Sequence, residues 1–166
     1  MMKKMKKMND RGFSLVELMV VIGIIAVVLG AFTYGYSIIS NKQVDQCAKK
    51  LQSTLDSTRN TAMGKSSVDL KISYESGKII AVRVINGDTA NAKRIELGDG
   101  DLSVTYYFSN GSSKTLADEA IDKISFDRAS GSLKAYTGSL YINKISISNG
   151  RKNIDINIDK LTGRVT

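Results

Sequence analysis

The sequence contains no histidine, which removes Ser-His-Asp and Cys-His nucleophilic catalysis and every His-ligated metal site together. It also lacks proline and tryptophan and has one cysteine, Cys47, so no intrachain disulfide can form. Cys47 shares a helical face with Val44 and Leu51, the place of a small buried hydrophobe rather than a reactive thiol. No glycine-rich loop leads into a lysine to cradle phosphate, and no nucleophile stands beside a base. The acidic groups Asp99/Asp101 and Asp118/Glu119/Asp122 lack the spacing of a calcium loop. They read as turns and solvated surface. No catalytic residue, metal or cofactor is expected, and the chain is not read as an enzyme.

What is present begins with charge. The formal net charge is +8, but residues 1–12 carry five of the 24 basic residues (Lys3, Lys4, Lys6, Lys7 and Arg11) and only Asp10 of the 16 acidic ones. Beyond them 19 basic and 15 acidic residues remain, a net +4. That is a mildly basic solvated surface, not by itself a nucleic-acid signature. From residue 13 to 36 there is no Lys, Arg, Asp, Asn or Gln, and Glu17 is the single charge. As a helix this stretch would be ~36 Å long, enough to cross a hydrocarbon core of about 30 Å. Basic residues before the apolar run place the leader in the cytoplasm and the C-terminus outside. An ionised carboxylate at mid-bilayer costs roughly 3 kcal/mol, so an acid in this setting calls for a partner.

Gly12-Phe13-Ser14-Leu15-Val16-Glu17-Leu18 resembles the class III signal of type IV prepilins and type II secretion pseudopilins. The polar-to-apolar junction falls before the hydrophobic run, unlike a secretory signal cut after it. The resemblance implies cleavage between Gly12 and Phe13 by a prepilin peptidase, N-methylation of Phe13, and an assembly role for Glu17 against the terminal amine of an adjoining subunit. The competing reading is a plain signal anchor. Many pilins kink this helix with a proline that this chain lacks, so the helix is either straighter or kinked at Gly30 or Gly35.

Beyond Tyr36 the composition turns polar, yet the helical period continues. Val44, Ala48, Leu51, Leu55 and Thr58 to Ala62 recur at steps of three and four, with Lys49, Lys50, Gln52, Asp56 and Arg59 on the other face. One helix is predicted over 13–63, capped by Gly64. The period then becomes two. A hairpin is predicted from 68–74 and 78–85 around Glu75-Ser76-Gly77, closed by Asn86-Gly87-Asp88. Further strands are expected at 93–97, 102–108, 123–127, 132–136, 139–148, 152–158 and 164–166, with one helical turn near 116–121. The spacing indicates antiparallel sheet, whose apolar face the stripe on the helix would cover. The fold class is therefore α+β, with a long N-terminal helix packed on a C-terminal antiparallel β-domain. The organisation is a cleaved leader (1–12), a transmembrane and assembly helix (13–36), its amphipathic continuation (37–63) and a β-rich domain (64–166).

The C-terminal third, with Ile124-Ser125-Phe126-Asp127-Arg128-Ala129-Ser130-Gly131 and Leu161-Thr162-Gly163-Arg164-Val165, is similar to the β-rich end of GspH/FimT-type minor pseudopilins. Some FimT-like pilins take up DNA through a Gly-Arg-x-Arg stretch. Here Gly163-Arg164 matches, but Thr166 stands in place of the second arginine. Arg151, Lys152, Lys160 and Arg164 are the candidate DNA contacts, weighed against charge that merely protects a sheet edge, which is preferred. The resemblance implies a single-pass cell-membrane protein that enters a type IV pilus, type II secretion pseudopilus or competence pilus as a minor pilin or pseudopilin. Its partners would be other pilin subunits, prepilin peptidase, the membrane platform of the assembly machine, and membrane lipid before assembly. A DNA-capturing minor pilin, a major pilin and an anchored surface domain unable to polymerise are the alternatives.

Overall fold

A stripe of apolar residues three and four apart, with no proline to interrupt it, gives one continuous helix. The computed structural model describes residues 14–64 and 66–166, and α1 runs Leu15–Met63 without a break in helical assignment at Gly30 or Gly35. The chain forms two compact units, Met1–Ile38 and Ile39–Thr166. In the second unit Val44, Cys47, Leu51, Leu55, Thr58 and Ala62 of α1 are all at most 1% exposed. Full burial of one Leu side chain stabilises by roughly 1.5–3 kcal/mol, so this stripe fixes which face of the helix meets the sheets. Thr54 and Thr58 are buried with it. Each donates its hydroxyl to the carbonyl four residues back, at 2.7 Å, so neither polar group is left unsatisfied. Gly64 ends the helix with its N–H still donating to Asn60 O at 3.1 Å. Its φ lies outside the left-handed region, so the expected glycine cap is a stop rather than a left-handed turn.

Eight strands follow: β1 Val68–Glu75, β2 Lys78–Ile85, β3 Asp88–Asp99, β4 Ser103–Phe108, β5 Ser113–Thr115, β6 Ile121–Ser125, β7 Ile142–Ser148 and β8 Asn153–Asn157. They form two four-stranded sheets, in the orders β3-β2-β1-β6 and β5-β4-β7-β8, with every paired strand antiparallel. The first two hairpins close through Ser76-Gly77 and Asn86-Gly87, all four residues at positive φ. That is the signature of the tight turn whose twist suits a hairpin. The chain then interleaves. It leaves the first sheet after β3, builds β4 and β5, returns to lay β6 beside β1, and goes back to complete the second sheet. One core joins helix and sheets, with Leu70, Ile72, Ile79, Leu97, Tyr106, Phe126 and Ile145 among its most enclosed side chains.

The α+β class and the helix-on-antiparallel-sheet arrangement are those expected. Several local expectations differ. Residues 132–136 form no strand but a single bridge, Leu133 to Phe126, and 164–166 contribute only Val165 against Ile158. The predicted strand over 139–148 starts at Ile142, because Thr137 and Leu140 pair across a tight turn at Gly138. Residues 116–119 make a hydrogen-bonded turn rather than a helix, with the N–H groups of Asp118 and Glu119 both donating to Thr115 O at 3.1 Å.

The two turns singled out in the C-terminal third meet on α1. Arg59 Nε donates to Thr162 O at 2.8 Å and to Gly131 O at 3.3 Å. Gly163, at φ +64°, lies so close to Gly131 O and the Phe126 ring that no Cβ could be accommodated. The β7–β8 turn is tied to the helix further up. Asn149 Nδ2 donates to Ser40 Oγ at 2.8 Å, and Lys152 Nζ reaches both Asp45 carboxylate oxygens at 2.6 and 2.7 Å.

Candidate membrane and assembly segment

The first turn of α1 sets up this site. Leu18 N–H donates to Ser14 O at 3.1 Å, which makes Ser14 the residue whose carbonyl accepts the first helical bond. Glu17 stands three residues on, in the first turn. Ser and Glu at this separation have the spacing of a capping box, and an acid in the first turn is favoured by the helix dipole. The Ser-x-x-Glu spacing was readable in the sequence and is the feature that motif reading passed over.

From Leu15 to Phe32 the helix is apolar, with mean hydropathy 2.8 over 18 residues and none of it buried. Val27 is 74% exposed, Phe32 72% and Leu15 70%. Eighteen helical residues rise ~27 Å, close to the thickness of a hydrocarbon core, and the helix is long and apolar enough to cross a membrane. Helical geometry also satisfies the interior backbone groups within the segment, the condition for entering lipid. Water is a poor surrounding for so many open Leu, Ile, Val and Phe side chains, each worth roughly 1.5–3 kcal/mol on transfer. The Glu17 carboxylate is exposed and has no hydrogen-bond or ion-pair partner among the described residues. Gly12 and Phe13, the expected cleavage and methylation positions, lie outside the described residues.

The four candidate DNA contacts do not gather. Arg151 and Lys152 lie at the turn before β8, Lys160 and Arg164 beyond its far end. Lys152 is held by Asp45, and Lys160 sits 4.2 Å from the centre of the Tyr141 ring. The acidic residues are likewise engaged singly. Asp99 accepts from Gln43 Nε2 at 3.1 Å, Asp118 from the Thr115 hydroxyl, and Glu119 pairs with Lys114. Asp122 lies 3.3 Å from Lys71 Nζ. Among the described residues no three acidic or cysteine side chains are placed to hold a metal ion. Cys47 is 1% exposed, and burial pushes its thiol up to about 11.

Among known families, the one described as the prokaryotic N-terminal methylation motif matches residues 7–33. No curated protein and no solved structure matches the chain. The family match falls on the segment just described and supports a type IV pilin-like or pseudopilin protein. Such a protein is a membrane-anchored structural subunit that prepilin peptidase processes and that assembles with other pilin subunits.

Proposed function

We propose that the chain is a minor pilin or pseudopilin of the GspH/FimT kind, matured by cleavage between Gly12 and Phe13 and by methylation of Phe13. Residues 1–12 are the leader, 13–36 the membrane and assembly helix, 37–63 its amphipathic continuation and 64–166 the outer domain. Before assembly the apolar helix lies in the cell membrane with the β-domain outside the cytoplasm. Drawn out by the membrane platform of the assembly machine, it packs with other subunits into a filament core, where the amino-terminal amine of a neighbour pairs with Glu17. The observation that carries this reading is the unburied apolar stretch Leu15–Phe32 with an unpartnered carboxylate at its start, inside the methylation motif. An isolated acid in lipid is costly unless a partner is supplied. DNA capture is not favoured, since Lys152 is paired with Asp45 and Lys160 lies over the Tyr141 ring, at opposite ends of β8.

Co-expression with a prepilin peptidase tests the reading. Intact-mass analysis should show loss of the first 12 residues and gain of one methyl group. Gly12→Leu should abolish both, because a bulky side chain crowds the scissile bond. Normal maturation of that variant would overturn the assignment.

A further inference from the structure

The exposed side of α1 and strands β2 and β3 of the first sheet border an open cleft of about 420 Å³. Lys49, Ser53 and Ser57 line it at steps of four along the helix, Lys50 beside them, and Arg83 and Lys93 face them from the sheet. Arg83 and Lys93 are register partners across β2 and β3. Like charges set directly opposite one another in a sheet repel and destabilise the pairing. No carboxylate lines the cleft, and Lys49, Lys50 and Lys93 form no ion pair with a described residue. Several cations elsewhere in the domain are paired, Lys71 with Asp122, Lys123 with Asp69 and Lys144 with Asp155. The neighbouring acid Glu96 is bound by Lys78 at 2.8 Å and also feels the charge of Lys50. Arg83 Nη1 donates to Ser57 Oγ at 2.6 Å, whereas its Nε–H is buried with no acceptor.

We infer that this helix–sheet cleft is a binding site for a compact phosphoryl oxyanion, a phosphate or pyrophosphate group. The ligand class follows from the donors. Four cations and the hydroxyls of Ser53 and Ser57 line its two walls. A tetrahedral oxyanion carrying about two negative charges offers three or more acceptor oxygens to such a set. A carboxylate offers two oxygens in one plane and a single charge, leaving most of the donors unused. No aromatic side chain lines the cleft, so the stacking platform typical of single-stranded nucleic acid is missing. An oxyanion between Arg83 and Lys93 would turn their repulsion into a shared attraction.

The test uses the full chain in a nonionic detergent, titrated with inorganic pyrophosphate at constant ionic strength and followed by calorimetry and by thermal unfolding. Saturable one-to-one binding is expected, with a rise in the unfolding midpoint as ligand binds the native state. Lys93→Gln, at an exposed position, should weaken binding at least tenfold. Lys134→Gln, which removes the same charge outside the cleft, should leave it within twofold. Lys93→Glu should raise the midpoint of the ligand-free protein by pairing with Arg83, and should remove the response to pyrophosphate. Absence of saturable binding, or equal weakening by Lys134→Gln, overturns the site. A glutamate-rich peptide that binds tighter than pyrophosphate at equal charge overturns the ligand class in favour of an acidic protein segment.

Discussion

At Glu17 two demands meet that a single chain does not resolve. The first helical turn favours a negative charge, and the apolar surroundings penalise one without a counter-ion. On the proposed pairing with a neighbour's terminal amine, Glu17→Ala would leave that amine unpaired, a loss of about 3–5 kcal/mol for a buried pair that loses one member. Insertion and leader cleavage of Glu17→Ala should stay normal while incorporation into filaments falls more than about tenfold, read by immunoblotting of sheared filaments against the membrane fraction. Incorporation at the wild-type level would sink the ion-pair role. Cys47 makes the opposite case, a group silenced by its own fold. With the thiol pushed up to about 11 by desolvation, on the order of one molecule in a few thousand carries the thiolate at pH 7.5. A disulfide reagent should therefore leave the native chain unlabelled and react at once in guanidinium. Rapid labelling without denaturant would mean that the helix separates readily from the sheets.

Along α1 one element has two surfaces with different demands. Leu55 is fully buried and Ile22 is 58% exposed. Leu55→Ala should cost about 2–5 kcal/mol by leaving a cavity, and Ile22→Ala should change stability within about 0.5 kcal/mol, both measured by urea unfolding in detergent. The change of surface was legible in the sequence because Val44, Cys47, Leu51 and Leu55 keep the helical step after the unbroken apolar run ends. The β1–β2 hairpin was equally legible from its period and from Ser76-Gly77. The first half of β3 was not, since Asp88-Thr89-Ala90-Asn91-Ala92 is mostly exposed and has no apolar alternation to betray it. β5, Ser-Lys-Thr, likewise pairs by backbone alone. At 132–136 the alternation was real, but Gly131 at positive φ and the turn at Gly138 leave Leu133 one bridge and no ladder. Membership of each sheet is decided by pairings between β1 and β6 and between β4 and β7, for which no local signal exists. Of the membrane segment, Glu17 and the apolar run were plain from composition, whereas the cationic cleft needed Arg83 and Lys93 to be brought opposite Lys49.

For the whole molecule, titration limits stability on both sides. Asp127, Asp159 and Asp88 sit below the usual carboxylate range. The leading causes are the Ser130 N–H, the Thr162 N–H and the Asn91 side-chain amide respectively. Groups lowered in the folded state contribute stability that is present above their unfolded values, near 3.8, and is lost as pH falls through the folded ones. Cys47, Tyr74 and Tyr106 are raised, chiefly by burial. Their contribution is complete below the unfolded values, from 9.0 for the thiol and 10.0 for the phenols, and is lost as the unfolded chain ionises first. The unfolding midpoint should be flat from about pH 5 to 8.5 and decline on either side. A midpoint still rising above pH 9 would contradict the buried state of these groups.

The interleaved path of the chain has a consequence during synthesis. β1 lies inside its sheet only because β6 closes it, and β6 is made after β4 and β5. A nascent or truncated chain that stops before Ile121 therefore presents the open edge of β1, with its row of unpaired N–H and C=O groups and the apolar Leu70 and Ile72 beside it. β4 is then short of β7 as well. Such edges pair readily with other chains, so copies that stop before β6 are the ones most apt to aggregate or be degraded.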